Sequence, residues 1–188
     1  MRLVTFELDG VARLGAHEGV RVWDLTGALG LSAARRLLAE GRLAEAARAR
    51  GDLHAQDGVR LGLPVADPFR ILCVGGNYMD RNAEYADGAA APAYPSLFMR
   101  TALSFVGHDE AIVRPRESEQ LDYEGEIAMV IGRAGRRIAE GDAMGHVAGL
   151  TLMNEGTVRD WLRHGKFNVT QGKNIDRTGA MGPWLETD

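Results

Sequence analysis

From Met1 to about residue 25, apolar and polar side chains alternate. Asp9-Gly10 falls between Leu8 and Val11, so the chain opens on a β-hairpin with a two-residue turn. A further short strand is predicted from Val20 to Leu25. The period then changes: Ser32 introduces an Ala- and Leu-rich stretch to about Arg50, interrupted at Gly41. That pattern predicts a Ser-capped helix, either broken once or divided in two. Pro64 to Pro68 reads as a linker, so residues 1–66 are expected to form a small α/β domain and residues 67–188 a second, β-rich one. In the second part, the apolar run Ile127-Ala128-Met129-Val130-Ile131, stopped by Gly132, predicts a buried strand, and Val147 to Met153 predicts its neighbour. The run from Asn82 to Ala93 is polar and Ala/Gly-rich without apolar period, which predicts a loop placed to act as a lid.

Candidate chemistry gathers where the first of those two strands begins. Side chains two apart on a strand share a face, so Glu124 and Glu126 of Asp122-Tyr123-Glu124-Gly125-Glu126 project into one space. Two carboxylates that close need a cation, or one of them takes up a proton. Oxygen ligands of this kind favour magnesium, manganese or calcium over zinc or copper. The alternative is that both sit on the solvated face of an edge strand, where acidic residues guard against aggregation. Glu155 supplies a third carboxylate at the end of the neighbouring strand and favours the first reading. Arg159, Asp160 and the segment Gln171-Gly172-Lys173-Asn174 follow it.

Other chemistries are poorly supported. A formal net charge of -4 over 188 residues, with no Lys/Arg cluster interleaved with aromatics, gives no sign of a nucleic-acid partner. A single cysteine, Cys73, excludes a disulfide framework and suits a reducing compartment. No stretch approaches the ~18 apolar residues of a membrane span, and the first residues lack a signal-peptide core. A cytoplasmic protein without a membrane partner is therefore expected. His17, His54, His108, His146 and His164 never recur at zinc-ligand spacing, although His164 lies between Arg159 and Lys173. Gly172-Lys173 lacks the rest of a phosphate loop, and Ser104 and Ser118 lack a nucleophile elbow.

Taken in order, Ile71 to Tyr78, Pro95 to Arg100, Asp122 to Glu126, Val130-Ile131-Gly132, Asn154 to Trp161, Gly172-Lys173-Asn174 and Gly182-Pro183-Trp184 resemble successive motifs of the fumarylacetoacetate hydrolase family. The resemblance covers roughly residues 70 to 187. It implies an α+β, β-rich fold: a fumarylacetoacetate hydrolase-like β-roll, incomplete here because the C-terminal strands are missing, preceded by the small α/β domain. It further implies that Glu124, Glu126 and Glu155 hold a divalent metal, Mg2+ or else Mn2+ or Ca2+, and that Lys173 is catalytic. Tyr78, Arg100 and Arg159 are expected to bind substrate, although a structural salt bridge to Asp160 or Glu119 is an equal alternative for the arginines.

Two positions depart from the family pattern. Glu155 stands where many relatives carry Asp, a change that flexible oxygen coordination tolerates. Arg81 stands where relatives that hydrolyse or decarboxylate place a His, which works with a Glu three residues later. Glu84 is present, but arginine cannot act as a base near neutral pH. The expected function is metal-dependent chemistry on a small 2-oxo or 2,4-dioxo acid, by C–C hydrolysis or by isomerisation, in a homodimer. Arg81 and Glu84 complete the expected catalytic set. The alternative is a metal-binding remnant that acts only in structure or interaction, since the chain stops before further strands of the family.

Overall fold

The computed structural model describes residues 1–78, 94–165 and 168–187. Its strands in chain order are β1 (Arg2–Leu8), β2 (Val11–Glu18), β3 (Arg21–Asp24), β4 (Leu53–Ala55), β5 (Arg60–Leu61), β6 (Ile71–Gly75), β7 (Ser96–Arg100), β8 (Phe105–Val106), β9 (Leu121–Asp122), β10 (Gly125–Ile131), β11 (Val147–Asn154), β12 (Thr157–Val158) and β13 (Gly179–Glu186). The first hairpin forms as predicted. Asp9 and Gly10 both have positive φ, 52° and 77°, the requirement of the turn whose twist matches its flanking strands.

Between β3 and β4 lie three short helices, Thr26–Leu29, Ala34–Ala39 and Leu43–Ala46. The expected Ser32 cap does not form: the N-cap of Ala34–Ala39 is Ala33, with no side-chain hydrogen bond. That helix is held from the core side instead, through Ala34, Leu37 and Leu38. The chain then turns at Gly41, with φ 66°.

Among the described residues, one sheet runs β10-β11-β13-β1-β2-β3-β4, with β5 added to β1 and β8 added in parallel to β13. Alternation along β1 supplies its two faces. Leu3 joins Leu14, Leu25, Leu37 and Leu185 under the helices, whereas Val4 and Phe6 join Val22 and Leu61 on the other side. Leu3, Val4 and Leu185 are fully buried and Phe6 is 1% exposed. Strand β13 is the link that matters for the site. It pairs with β1 through Leu3↔Leu185 and with β11 through Met153↔Met181, so the residues before 66 share a sheet with the acidic strands. The stretch expected to be a linker is packed too: Pro64 is fully buried and its carbonyl accepts a hydrogen bond from Thr5 Oγ1.

Strand β10 forms where the apolar run predicts it, but not as a buried strand. It ends the sheet, and Ile127, Met129 and Ile131 are each 62% exposed, while Ala128 and Val130 on the opposite face are half-buried. An apolar run fixes that a strand forms; what covers its second face is decided by other elements. Two small antiparallel pairs complete the site: the β6–β7 hairpin, and β9 with β12.

Candidate metal centre

The register of β10 on β11 sets the acidic residues against one another. Gly125 pairs with Asn154, which brings the residue before β10 opposite the residue after β11. Two hydrogen bonds close that corner: Glu155 N–H donates to the Glu124 carbonyl at 2.8 Å, and Glu124 N–H donates to Asn154 Oδ1 at 3.1 Å. Glu126 extends from β10 on the same face as Glu124. One ligand oxygen from each of Glu124, Glu126 and Glu155 lies within 4.8 Å of the others. The solvated edge-strand alternative for the acidic pair does not describe this arrangement, because Glu155 is only 5% exposed and Glu124 and Glu126 turn toward it.

Each carboxylate meets a different set of partners. Glu124 Oε1 accepts from Thr157 Oγ1 at 2.6 Å and faces Arg159 Nη2 at 2.8 Å, while its Oε2 accepts from Lys173 Nζ at 2.9 Å. Burial pushes the Glu124 carboxyl up, but the Thr157 hydroxyl, Lys173 and Arg159 outweigh it and hold it below the usual range. Glu155 Oε2 accepts from Lys173 at 2.9 Å, and its Oε1 is buried without a hydrogen-bond partner. Among the described residues Glu126 forms no direct ion pair, and Lys173 acts on it only through its charge. Burial first, then the charges of Glu155 and Glu124, push its carboxyl up, with the Tyr78 hydroxyl pulling the other way. The same contact raises Tyr78, chiefly through the charge of Glu126.

Lys173 comes from the last turn of the helix Val169–Lys173 and is 4% exposed. Its ammonium lies 5.3 Å from the centre of the Phe98 ring, on β7. Asn174 fastens this helix to the hairpin, accepting from Thr101 N–H at 2.8 Å and donating to the Met99 carbonyl at 3.0 Å. Cys73, on β6 and paired with Phe98 of β7, stands beside Glu155; burial, then that carboxylate, pushes its thiol up.

The structure therefore brings Glu124, Glu126, Glu155, Lys173 and Arg159 together, with Tyr78 at Glu126. Arg159 pairs with Asp122 at 3.0 Å and with Glu124 at 2.8 Å. Arg100 lies elsewhere in the arrangement. It is 3% exposed, and it donates to Ser104 Oγ and to the Gly156 carbonyl at 3.1 Å each and to Thr178 Oγ1 at 3.4 Å, with Phe105 under its guanidinium. Among the described residues these bonds go to hydroxyl and carbonyl oxygens, and the Asp160 or Glu119 salt bridge suggested by sequence is not among them. His164 packs against Trp161. Arg81, Glu84 and the expected lid lie outside the described residues.

A divalent cation fits these residues. The site combines three converging carboxylates, a buried Glu155 Oε1 that accepts no hydrogen bond among the described residues, and oxygen-only ligands, the set that hard divalent ions take. Sequence reasoning missed Thr157, Phe98 and Asn174. Thr157 carried a signal, since it lies two residues beyond Glu155 and the side-chain period of a strand is two.

The chain matches the family model of the fumarylacetoacetate (FAA) hydrolase C-terminal domain over residues 70–188. It is 41% identical over 130 residues to the oxaloacetate tautomerase YisK of Bacillus subtilis strain 168, which covers 68% of this chain and 42% of that protein. It is 40% identical over 126 residues to the human mitochondrial oxaloacetate tautomerase FAHD2B, covering 66% of this chain and 39% of that one. A solved fumarylacetoacetate hydrolase from the psychrophile Exiguobacterium antarcticum superposes with a TM-score of 0.84 at 33% identity, over 100% of this chain and 66% of its own. The chain thus spans less than half the length of these two curated relatives.

Proposed function

The chain belongs to the fumarylacetoacetate hydrolase family, and from that premise we propose that it is the metal-holding part of an enzyme that moves a proton on a small 2-oxo acid, in the manner of a keto–enol tautomerase or isomerase. The observation that carries this reading is the Lys173 ammonium bridging Glu124 and Glu155 at 2.9 Å each, beside a carboxylate oxygen with no partner. Glu124, Glu126 and Glu155 would hold a divalent ion, most simply magnesium or manganese, and the bound ion would supply a Lewis-acid centre for the substrate's carboxylate and 2-oxo oxygens.

The rest of the chemistry belongs to the chain's own groups. Tautomerisation takes a proton from the enol hydroxyl and delivers one to the adjacent carbon, so negative charge builds on the oxygen. Lys173, buried and held by two carboxylates, offers a fixed positive charge for that oxygen at no cost of reorganisation. Arg159 braces Glu124 and Asp122 and would steer a substrate carboxylate at the rim. Tyr78, bonded to Glu126, would border the substrate. Arg100 is read as a brace for the backbone around Gly156, not as a substrate clamp. Glu84 is the candidate proton carrier and Arg81 the candidate partner of a second substrate carboxylate, both on sequence grounds. With Arg81 in place of a His, proton transfer is favoured over hydrolysis, which needs an activated water.

We further expect a homodimer in the cytoplasm, with neither nucleic acid nor membrane as partner. Among the described residues no helix is long and apolar enough to cross a membrane. The test is the enol-to-keto conversion of oxaloacetate, followed by loss of enol absorbance with Mg2+ or Mn2+ and again in EDTA, alongside hydrolysis of an acylpyruvate. Metal-dependent ketonisation above the metal-only rate, reduced about 10²-fold or more by Lys173→Met, is expected. Metal binding without turnover of either substrate would establish the non-catalytic alternative.

A further inference from the structure

We propose that Thr157 is a positioning residue of this centre: its hydroxyl fixes Glu124 so that the carboxylate presents a single oxygen, Oε2, to a divalent cation. This rests on the reading that the three glutamates hold such an ion. Thr157 is completely buried on β12, and its Oγ1 lies 2.6 Å from Glu124 Oε1, the short separation of a hydroxyl donating to an ionised carboxylate. The Glu155 carbonyl, 3.2 Å away, is the longer option for the same hydrogen. A hydroxyl has one proton to give, and the charged acceptor takes it.

Arg159 Nη2 lies 2.8 Å from the same Oε1, so that oxygen carries the Thr157 hydrogen bond and also faces the guanidinium charge. Lys173 takes one of the two positions on Oε2. Among the described residues, Oε2 keeps an acceptor position beyond the Lys173 contact, and it lies away from the Arg159 charge. Glu155 shows the complementary arrangement, with Lys173 on Oε2 and, among the described residues, no hydrogen bond to the buried Oε1. A glutamate without the Thr157 contact could turn about its last torsion and offer either oxygen, or both, and ordering it would then fall to the cation. The β9–β12 pairing supplies both groups that prevent this. Thr157 is registered on Asp122, and Asp122 holds the Nε of Arg159 at 3.0 Å. Gly156, whose carbonyl Arg100 holds, sets the height of β12: a Cβ there would lie 1.9 Å from the Thr178 carbonyl oxygen, so only glycine allows this close approach.

The experiment measures Mn2+ binding by calorimetry on the full chain and on Thr157→Val and Thr157→Ser, with melting in EDTA as a check of each fold. Loss of a group that orients a ligand commonly weakens metal affinity about 10- to 100-fold, and Thr157→Val, which keeps the shape and removes the hydroxyl, should fall in that range. Thr157→Ser should recover most of the loss. If Thr157→Val does not fold, Thr157→Ala carries the same expectation. Parent and Val proteins binding equally well would overturn the proposal, as would a Ser variant as weak as Val, which would assign the effect to the methyl group. A parent that binds no Mn2+ would remove the underlying reading of the glutamates, a different outcome from either of these.

Discussion

Lys173 Nζ lies 2.9 Å from Glu155 Oε2, with side-chain exposures of 5% and 7%. A cation and an anion are thus both withdrawn from water at the point where a third and a fourth charged group, Glu124 and Glu126, converge. Removing one member of a buried pair leaves the other uncompensated, and that loss is larger than the net worth of the pair. Lys173→Met should therefore lower stability by about 3 to 5 kcal/mol in EDTA, read from urea unfolding. Part of this should return on adding Mg2+, which replaces the missing positive charge. A change under about 1 kcal/mol would mean that the pair is effectively solvated.

Metal addition should raise the melting temperature of the parent protein, because a ligand that binds only the folded state stabilises it by mass action, about 2.7 kcal/mol at a hundred times its dissociation constant. Glu126→Gln should abolish the rise, since it removes one of the three converging carboxylates and, among the described residues, Glu126 forms no direct ion pair that could hold it in place without the metal. An undiminished metal response in that variant would place the ion elsewhere.

Acid stability should depend on Asp24, far from the glutamates. Burial pushes its carboxyl up, but the Thr26 N–H at 2.8 Å and the Arg13 guanidinium at 2.6 Å outweigh this and hold it below the usual range. A depressed folded pKa stabilises the fold at pH values above the ordinary carboxylate pKa of about 4, and that contribution disappears as pH falls through the folded value. Asp24→Asn should cost about 1.5 to 3 kcal/mol at pH 7, the range for hydrogen bonds to a charged group, and flatten the decline below about pH 4. Parallel pH profiles for parent and variant would refute this assignment.

Gly156→Ala should destabilise the protein by about 1 to 3 kcal/mol through overpacking, because the clash is with backbone and not with a side chain that can move aside. Mn2+ affinity should fall with it, since Glu155 and Thr157 flank the displaced peptide. Retained affinity in a folded Gly156→Ala protein would show that the turn tolerates the shift.

The sequence alone determined the elements whose cause is local. The Asp9-Gly10 turn, the break at Gly41 and the apolar runs of β10 and β11 follow from turn chemistry and side-chain period, and the period of two placed Glu124 and Glu126 on one face. The blocks from Ile71 to Trp184 carried the family, and with it the expectation that Glu155 and Lys173 join them. Other features were settled only by contacts distant along the chain. Leu3↔Leu185 joins the first strand to the last, and Lys173 reaches Glu124 across 49 positions. Arg100 became a buried brace because Ser104, Gly156 and Thr178 surround it, and β10 stayed exposed on one face because, among the described residues, neither core cluster takes in Ile127, Met129 or Ile131. Periodicity states which residues share a face. Only the packed chain states what that face meets, and charge, burial and hydrogen bonding at the site all depend on that second fact.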